Sequence, residues 1–355
     1  MKRIAFFDTK PYDMHFFKIY SGDYDIMYFE DKLTMKTVHL AKGYDGVCVF
    51  VNDTLNSETI NKLIEYNIEI IALRCAGYNN VDVKTAHKKI HIVRVPSYSP
   101  NAVAEHAMAL LLTLNRKTHK AYSRTRDFNF SLNGLTGFDM FEKTVGIIGT
   151  GKIGQIFANI CKGFGMNVIA YDIYPNELLD IKYLSLDELL SESDIISIHC
   201  PLSEKTKYMI NDESISKMKD GVYLINTSRG GVIDSLALLR GLKSGKIKGA
   251  GLDVYEEESN IFFEDMSDTI INDDTLSLLL SSPNVIITSH QAFLTEEALN
   301  KIAEVTIQNF DQYFNDLPLE NEVCYLCKDG PSAEKCFNNR NNRNRCFEII
   351  KKSSK

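Results

Sequence analysis

Three charged residues each follow an apolar run: Arg229 in LINTSRGGVID, Glu258 in GLDVYEEES and His290 in NVIITSHQAF. An arginine offers a planar fork of donors that grips a carboxylate bidentately and polarises the neighbouring carbonyl. A histidine donates a proton to a carbonyl oxygen as hydride reaches the carbon. A carboxylate bonded to that imidazole orients it and favours its protonated form. Together the three side chains suit reduction of a 2-oxo acid. Singly, each has an ordinary explanation: a surface charge at a strand end, a solvated acid in the run Glu256 to Glu258, a structural histidine. Ligands of doubly wound sheets bind beyond the carboxyl ends of the strands. These residues follow the fourth, fifth and sixth apolar runs of one series, so their coincidence at that edge argues for chemistry.

A redox partner for such a site is also legible. In KTVGIIGTGKIGQIF, Gly149, Gly151 and Gly154 form G-x-G-x-x-G between a strand-like run and a helical one. The first glycine permits a tight turn, the second lets backbone amides approach a pyrophosphate, and the third lets helix pack on strand. The helix N-terminus then presents unpaired donors to the phosphates. Asp172 ends the next apolar run, 18 residues beyond Gly154. A carboxylate there accepts from a ribose diol and repels a 2′-phosphate, so the cofactor is expected to be NAD rather than NADP.

The elements that must position these residues recur along the chain. RIAFFD, DIMYF, GVCVFV, IEIIALRC and HIVRVP form a first series of strand-like runs, and TVGIIG, NVIAYD, DIISIHCP, VYLINTS, GAGLDVY and NVIITSH a second. Near-continuous apolar runs separated by helical patterns predict parallel sheets covered on both faces. The expectation is an α/β protein of two doubly wound domains. Between them, PSYSPNAVAEHAMALLLTL becomes a long helix behind two prolines, and TEEALNKIAEVTIQNFDQYF reads as a second helix that returns to the first domain. The substrate domain is therefore expected to be discontinuous, 1–98 with 297–323, around a cofactor domain at 99–296. Residues 324–355 read as a partly disordered tail rich in asparagine and arginine.

The 355 residues are 44% hydrophobic and 25% charged, the balance of a soluble protein with a sizeable core. A net charge of −7 disfavours nucleic acid as the main partner. MKRIAFFDTK is too briefly apolar for a signal peptide, and Glu105 and His106 interrupt the most apolar stretch, so no membrane span is expected. Eight cysteines without a secretory signal read as reduced thiols of a cytoplasmic protein. Cys324 and Cys327 form one C-x-x-C, but Cys336 and Cys346 follow irregularly, so no metal site is expected. The stretch ESNIFFEDMSDTIINDDT reads either as a flap carrying FFEDMS over the site mouth or as an acidic loop.

From about Lys2 to Val323 the chain resembles the D-isomer-specific 2-hydroxyacid dehydrogenases, most closely the fermentative D-lactate dehydrogenases. RCAGYNNVD, VPSYSPNAVAEH, GTGKIGQIF, YDIYPN, NTSRGGVID, LDVYEEE and SHQAF carry the resemblance. It implies a Rossmann cofactor domain, a flavodoxin-like substrate domain and reduction of pyruvate by NADH. It also implies that Arg229 binds substrate, that Glu258 is the acid partner, and that His290 donates the proton. Ala76 and Gly77 would lend backbone donors to the substrate carboxylate, with Tyr98 near a small substrate pocket. Asp253 would contact the nicotinamide amide, and His199, Cys200 and Pro201 would cover the adenosine side. Lys152, Ile153, Thr206, Thr227, Ser228 and Arg229 would complete the cofactor contacts. A homodimer, or a dimer of dimers, is implied through the segment 115–140. Alternatives are another 2-oxo acid (2-oxoisocaproate or hydroxypyruvate), 3-phosphoglycerate oxidation, or an NAD-sensing co-repressor on the same scaffold.

Overall fold

The computed structural model describes residues 1–258 and 261–325. They fall into two compact units, Met1–Ser99 with the chain from Thr295 onward, and Pro100–Leu294.

The first unit contains β1 (Arg3–Phe6), β2 (Asp25–Tyr28), β3 (Gly46–Val49), β4 (Ile70–Leu73) and β5 (His91–Arg94). All pair in parallel in the order β2-β1-β3-β4-β5, the flavodoxin-like arrangement. The central strands β3 and β4 are buried throughout, which is why GVCV and IIAL carry no polar residue. The helix Glu296–Phe314 returns to this unit and packs against β4 and β5. Beyond it, Glu322 forms an antiparallel bridge with Val93, and its carboxylate is bonded to His91 Nδ1. Cys324, which the sequence assigns to the tail, is buried in this unit. The rest of the expected tail from residue 326, with Cys327, Cys336 and Cys346, lies outside the described residues.

The second unit contains β6 (Thr144–Ile148), β7 (Asn167–Tyr171), β8 (Lys182–Tyr183), β9 (Ile195–Ile198), β10 (Val222–Asn226), β11 (Ile247–Leu252) and β12 (Val285–Ile287). Their order is β12-β11-β10-β9-β6-β7-β8, parallel throughout, so the winding reverses between β6 and β9 as in a Rossmann sheet. One face packs on the helices Pro100–Arg116 and Lys152–Gly163 through Leu111, Phe157 and Ile147. The other packs on the helix Ser235–Ser244 and its neighbours through Leu238, Ile196 and Leu224. The two-residue strand β8 has no apolar run to announce it and pairs only at the edge. It moves the count by one: Arg229, Glu258 and His290 follow the fifth, sixth and seventh strands of this unit in chain order, not the fourth, fifth and sixth.

Among the described residues, no helix is long and apolar enough to cross a membrane, and no group of three or more His, Cys, Asp or Glu side chains is arranged to hold a metal ion.

Candidate active site

The three glycines after β6 have three different physical reasons. Gly149 has φ +95°, and a Cβ there would sit 2.8 Å from the carbonyl of His199. Gly154 faces the carbonyl oxygen of Gly149 so closely that its Cβ would lie 2.0 Å away, which locks helix to turn. Gly151 meets nothing within 4 Å, leaving open space at the start of the helix Lys152–Gly163, where no side chain caps the amides. Lys152 and Ile153 open that helix. An uncapped N-terminus behind an open glycine is a ready anion site.

Asp172, just past β7, fixes this loop. Its Oδ2 accepts from the amide (2.6 Å) and hydroxyl (3.0 Å) of Thr150, and its Oδ1 accepts from the amide of Tyr174 at 2.9 Å. A carboxylate has about four acceptor positions, so one remains for a ribose hydroxyl.

The His199–Pro201 segment packs behind Gly149. His199 bonds Ser197 through Nε2 at 2.9 Å, while its buried Nδ1 has no partner among the described residues. Burial pushes its pKa down to about 3. The unfolded chain then takes up a proton near pH 6.5 that the folded chain refuses until about pH 3. This histidine therefore makes the fold progressively less stable as pH falls through that window. His199→Gln is expected to flatten the decline of Tm between pH 6 and 4 relative to the natural protein; parallel profiles would show that His199 does not titrate this way. Thr206 tethers the same loop by donating to the carbonyl of Pro201 at 2.7 Å.

At the end of β10, the Asn226 amide group organises the turn. Its Nδ2 donates to the carbonyl of Arg229 at 3.0 Å, and its Oδ1 accepts from the amide and hydroxyl of Ser228 at 3.0 and 2.7 Å. Thr227 is 7% exposed, and its Oγ1 has no hydrogen-bond partner among the described residues. Arg229 Nη1 donates to the carbonyl of Ser228 at 2.7 Å, and among the described residues the guanidinium pairs with no carboxylate. Gly230 then lies against the chain that follows β11: a Cβ would sit 2.0 Å from Tyr255 C and 2.4 Å from Glu256 N. The glycine beside the arginine thus serves contact with protein backbone. Gly230→Ala forces the Arg229 loop off the Glu258 loop. It is expected to cost ~1–3 kcal/mol of stability and more than tenfold in kcat/KM; an unchanged Tm and rate would show that the two loops need not touch.

Glu258 and His290 meet. Nδ1 of His290 lies 2.8 Å from Glu258 Oε1, and the other carboxylate oxygen accepts from the amide of Tyr255 at 2.9 Å. Both side chains are about one-fifth exposed, so the pair reaches solvent. With Nδ1 committed to the carboxylate, Nε2 is the nitrogen available to a substrate. The stretch read either as a flap or as an acidic loop packs both of its adjacent phenylalanines against the core of this unit. Phe262 is buried in the core of this unit, while the Phe263 ring lies 6.1 Å from that of His290. Ser259 and Asn260 lie outside the described residues.

His290 has φ +51°, an unfavourable conformation for a residue with a Cβ, and its surroundings hold it there. Its amide donates to the carbonyls of Asp253 (2.7 Å) and Thr288 (3.0 Å). The buried Asp253 carboxylate accepts from Thr288 Oγ1 (2.6 Å) and from the amides of Gln291 and Ala292 (2.9 Å each). The Thr288 hydroxyl uses its one hydrogen in the bond to Asp253, so at 3.0 Å it accepts from His106 Nε2. Asp253, expected only as a cofactor contact, is thus the post that pins the His290 loop. Sequence inspection missed Thr288 and His106; His106 registered only as a break in an apolar run.

In the first unit, Ala76 and Gly77 follow β4 and Tyr98 follows β5, all partly exposed at the carboxyl ends of their strands.

Residues 108–292 match the model of the D-isomer-specific 2-hydroxyacid dehydrogenase NAD-binding domain. The chain belongs to that family. The D-lactate dehydrogenase of Escherichia coli K12 is 46% identical over 327 residues, 90% of this chain and 99% of that one. The pyruvate reductase structure from Chlamydomonas reinhardtii superposes with a TM-score of 0.86 at 47% identity, covering 90% of this chain and 98% of that one. The Aquifex aeolicus D-lactate dehydrogenase complexed with NAD and lactic acid gives a TM-score of 0.78 at 35% identity, covering 88% and 95%. This is an NAD-dependent D-2-hydroxyacid dehydrogenase. Its own residues fit the cofactor: the open space at Gly151, the uncapped amides behind it, the remaining acceptor position of Asp172 and the orphaned hydroxyl of Thr227 all call for a polar ligand.

Proposed function

We propose that this dehydrogenase reduces pyruvate to D-lactate with NADH, reversibly. The observation that carries the mechanism is the 2.8 Å bond between His290 and Glu258 beyond the strand ends of the cofactor domain. NADH, when bound, supplies the hydride for C2 of the substrate. Arg229 grips the substrate carboxylate and polarises the adjacent carbonyl, a use supported by its pairing with no carboxylate among the described residues. His290 gives the Nε2 proton to the carbonyl oxygen, leaving a hydroxyl; in the reverse direction neutral His290 takes it back. Glu258 holds the ring through its bond to Nδ1 and offers its carboxylate to the ring as the proton leaves Nε2. Within the first unit, the amides of Ala76 and Gly77 are assigned to a substrate carboxylate and Tyr98 to the substrate, as the family resemblance implies. His199, Cys200, Pro201 and Thr206 border the adenosine side, Ser228 the nicotinamide side, and the one unused acceptor position of Asp253 Oδ2 suits the nicotinamide amide.

Preference for NADH over NADPH rests on the charge of Asp172. Asp172→Ala is expected to narrow that preference by roughly tenfold or more, one charge-assisted bond and one repulsion being removed. Equal use of both cofactors by the natural protein would refute the ribose role.

Assembly as a homodimer, or as a dimer of dimers, is supported by the second unit's surface. Phe128, Phe130, Leu132 and Phe141 are 84%, 72%, 80% and 65% exposed within and just beyond the segment 115–140. Large apolar side chains exposed together mark association surfaces.

The substrate assignment is tested by comparing kcat/KM for pyruvate, 2-oxoisocaproate, hydroxypyruvate and phenylpyruvate under saturating NADH. Pyruvate is expected to rank first; a higher value for any of the other three would reassign the substrate.

A further inference from the structure

Arg94, the last residue of β5, stands apart from the residues discussed so far. Its backbone is held at both polar groups: the amide donates to the carbonyl of Asn321 at 3.1 Å, and the carbonyl accepts from Asn309 Nδ2 at 3.0 Å. From that base the partly buried side chain crosses to the loop after β4. Nη1 donates to the carbonyl of Ala76 at 2.7 Å, and the guanidinium lies over the Tyr78 ring, 5.1 Å from its centroid. A backbone carbonyl beside a glycine would be satisfied by water if this loop had no required orientation.

The planarity of the peptide gives the contact its meaning. In a trans peptide, the carbonyl of one residue and the amide of the next point in opposite directions. Three consecutive carbonyls of this loop are fixed from within the unit. Cys75 O accepts from the amide of Val95 at 3.1 Å, Ala76 O from Arg94, and Gly77 O from the Cys75 thiol at 3.2 Å. The amides of Ala76, Gly77 and Tyr78 are therefore turned away from those anchors, and none of the three donates a hydrogen bond among the described residues. Three amides that donate to nothing among the described residues are available to an anion. Arg94 adds a full positive charge behind the central peptide and polarises it, which strengthens the Gly77 amide as a donor.

We propose that Arg94 is a positioning residue for the substrate carboxylate, acting through the Ala76–Gly77 peptide and never touching substrate itself. This rests on the proposal above that these amides bind a 2-oxo acid, and it adds the Tyr78 amide and the Cys75 thiol to the same device. The role is in binding the anion, so its loss falls on KM and on carboxylate inhibitors more than on the chemical step.

The test uses full-length protein. Pyruvate KM and kcat, the Ki of oxamate (a pyruvate isostere) and the Kd of NADH are measured for the natural protein, Arg94→Met and Arg94→Lys. Arg94→Met is expected to raise pyruvate KM and oxamate Ki together by roughly tenfold or more, the value of a charge-assisted bond, with kcat and NADH Kd little changed. Arg94→Lys, which keeps the charge and a donor, recovers most of the loss. Should Arg94→Met fail to fold, Arg94→Gln keeps a neutral donor and is expected to raise oxamate Ki several-fold. An oxamate Ki unchanged in the folded variants, or a fall in kcat, NADH affinity and Tm together without the Lys rescue, overturns the assignment. Failure of the natural protein to turn over pyruvate or bind oxamate would instead strike the functional proposal beneath it.

Discussion

His290→Ala is expected to lower kcat for pyruvate reduction by roughly 10²–10⁴-fold, the usual contribution of a positioned general acid. NADH affinity should barely change, because no cofactor contact is assigned to this ring. The loss arises because the imidazole brings its proton already aimed: Nδ1 is held by Glu258 at 2.8 Å, and the loop is pinned through Asp253. Water replacing the ring supplies neither the alignment nor the acidity. Steady-state kinetics with fluorescence titration of NADH checks this. Loss of NADH binding in step with kcat would mean that the ring supports the fold of the cofactor domain rather than the chemistry.

Arg229→Lys is the second large effect. It keeps the charge but loses the planar fork, so kcat/KM for pyruvate should fall by ~2–4 kcal/mol, one or two charge-assisted hydrogen bonds. That is roughly 30- to 1,000-fold at 1.36 kcal/mol per decade. NADH affinity should hardly move. Arg229 gives one N–H to the Ser228 carbonyl, which leaves the other donors of its fork for a ligand. Collapse of NADH binding with normal pyruvate kinetics would assign Arg229 to the cofactor or to the fold.

Much of this architecture was legible because parallel sheets write themselves plainly. Runs such as GVCV and IIAL must be apolar on both faces, and Gly149 and Gly154 stand where a Cβ would fall 2.8 and 2.0 Å from backbone atoms. Strand β8 was illegible for the same physical reason: two edge residues bury too little to leave a pattern. The Glu258–His290 pair could be expected from residue type, but its support could not. His106 and Thr288 lie 182 residues apart, and nothing local in either segment announces that they meet. Gly230 admits the Tyr255–Glu256 backbone, a long-range contact that only the fold brings about. Phe262 is buried in the core and Phe263 packs against that core with its ring 6.1 Å from that of His290, a placement that an acidic, aromatic stretch does not betray.

The central claim is that the chain delivers hydride and proton to pyruvate with one handedness. Purified protein, NADH and pyruvate are incubated, NADH oxidation is followed at 340 nm, and the lactate formed is resolved on a chiral column. The account predicts D-lactate stoichiometric with NADH consumed, with kcat in the ordinary range of about 1–10³ s⁻¹. L-lactate, a racemic product, or no turnover of pyruvate at saturating NADH would contradict it.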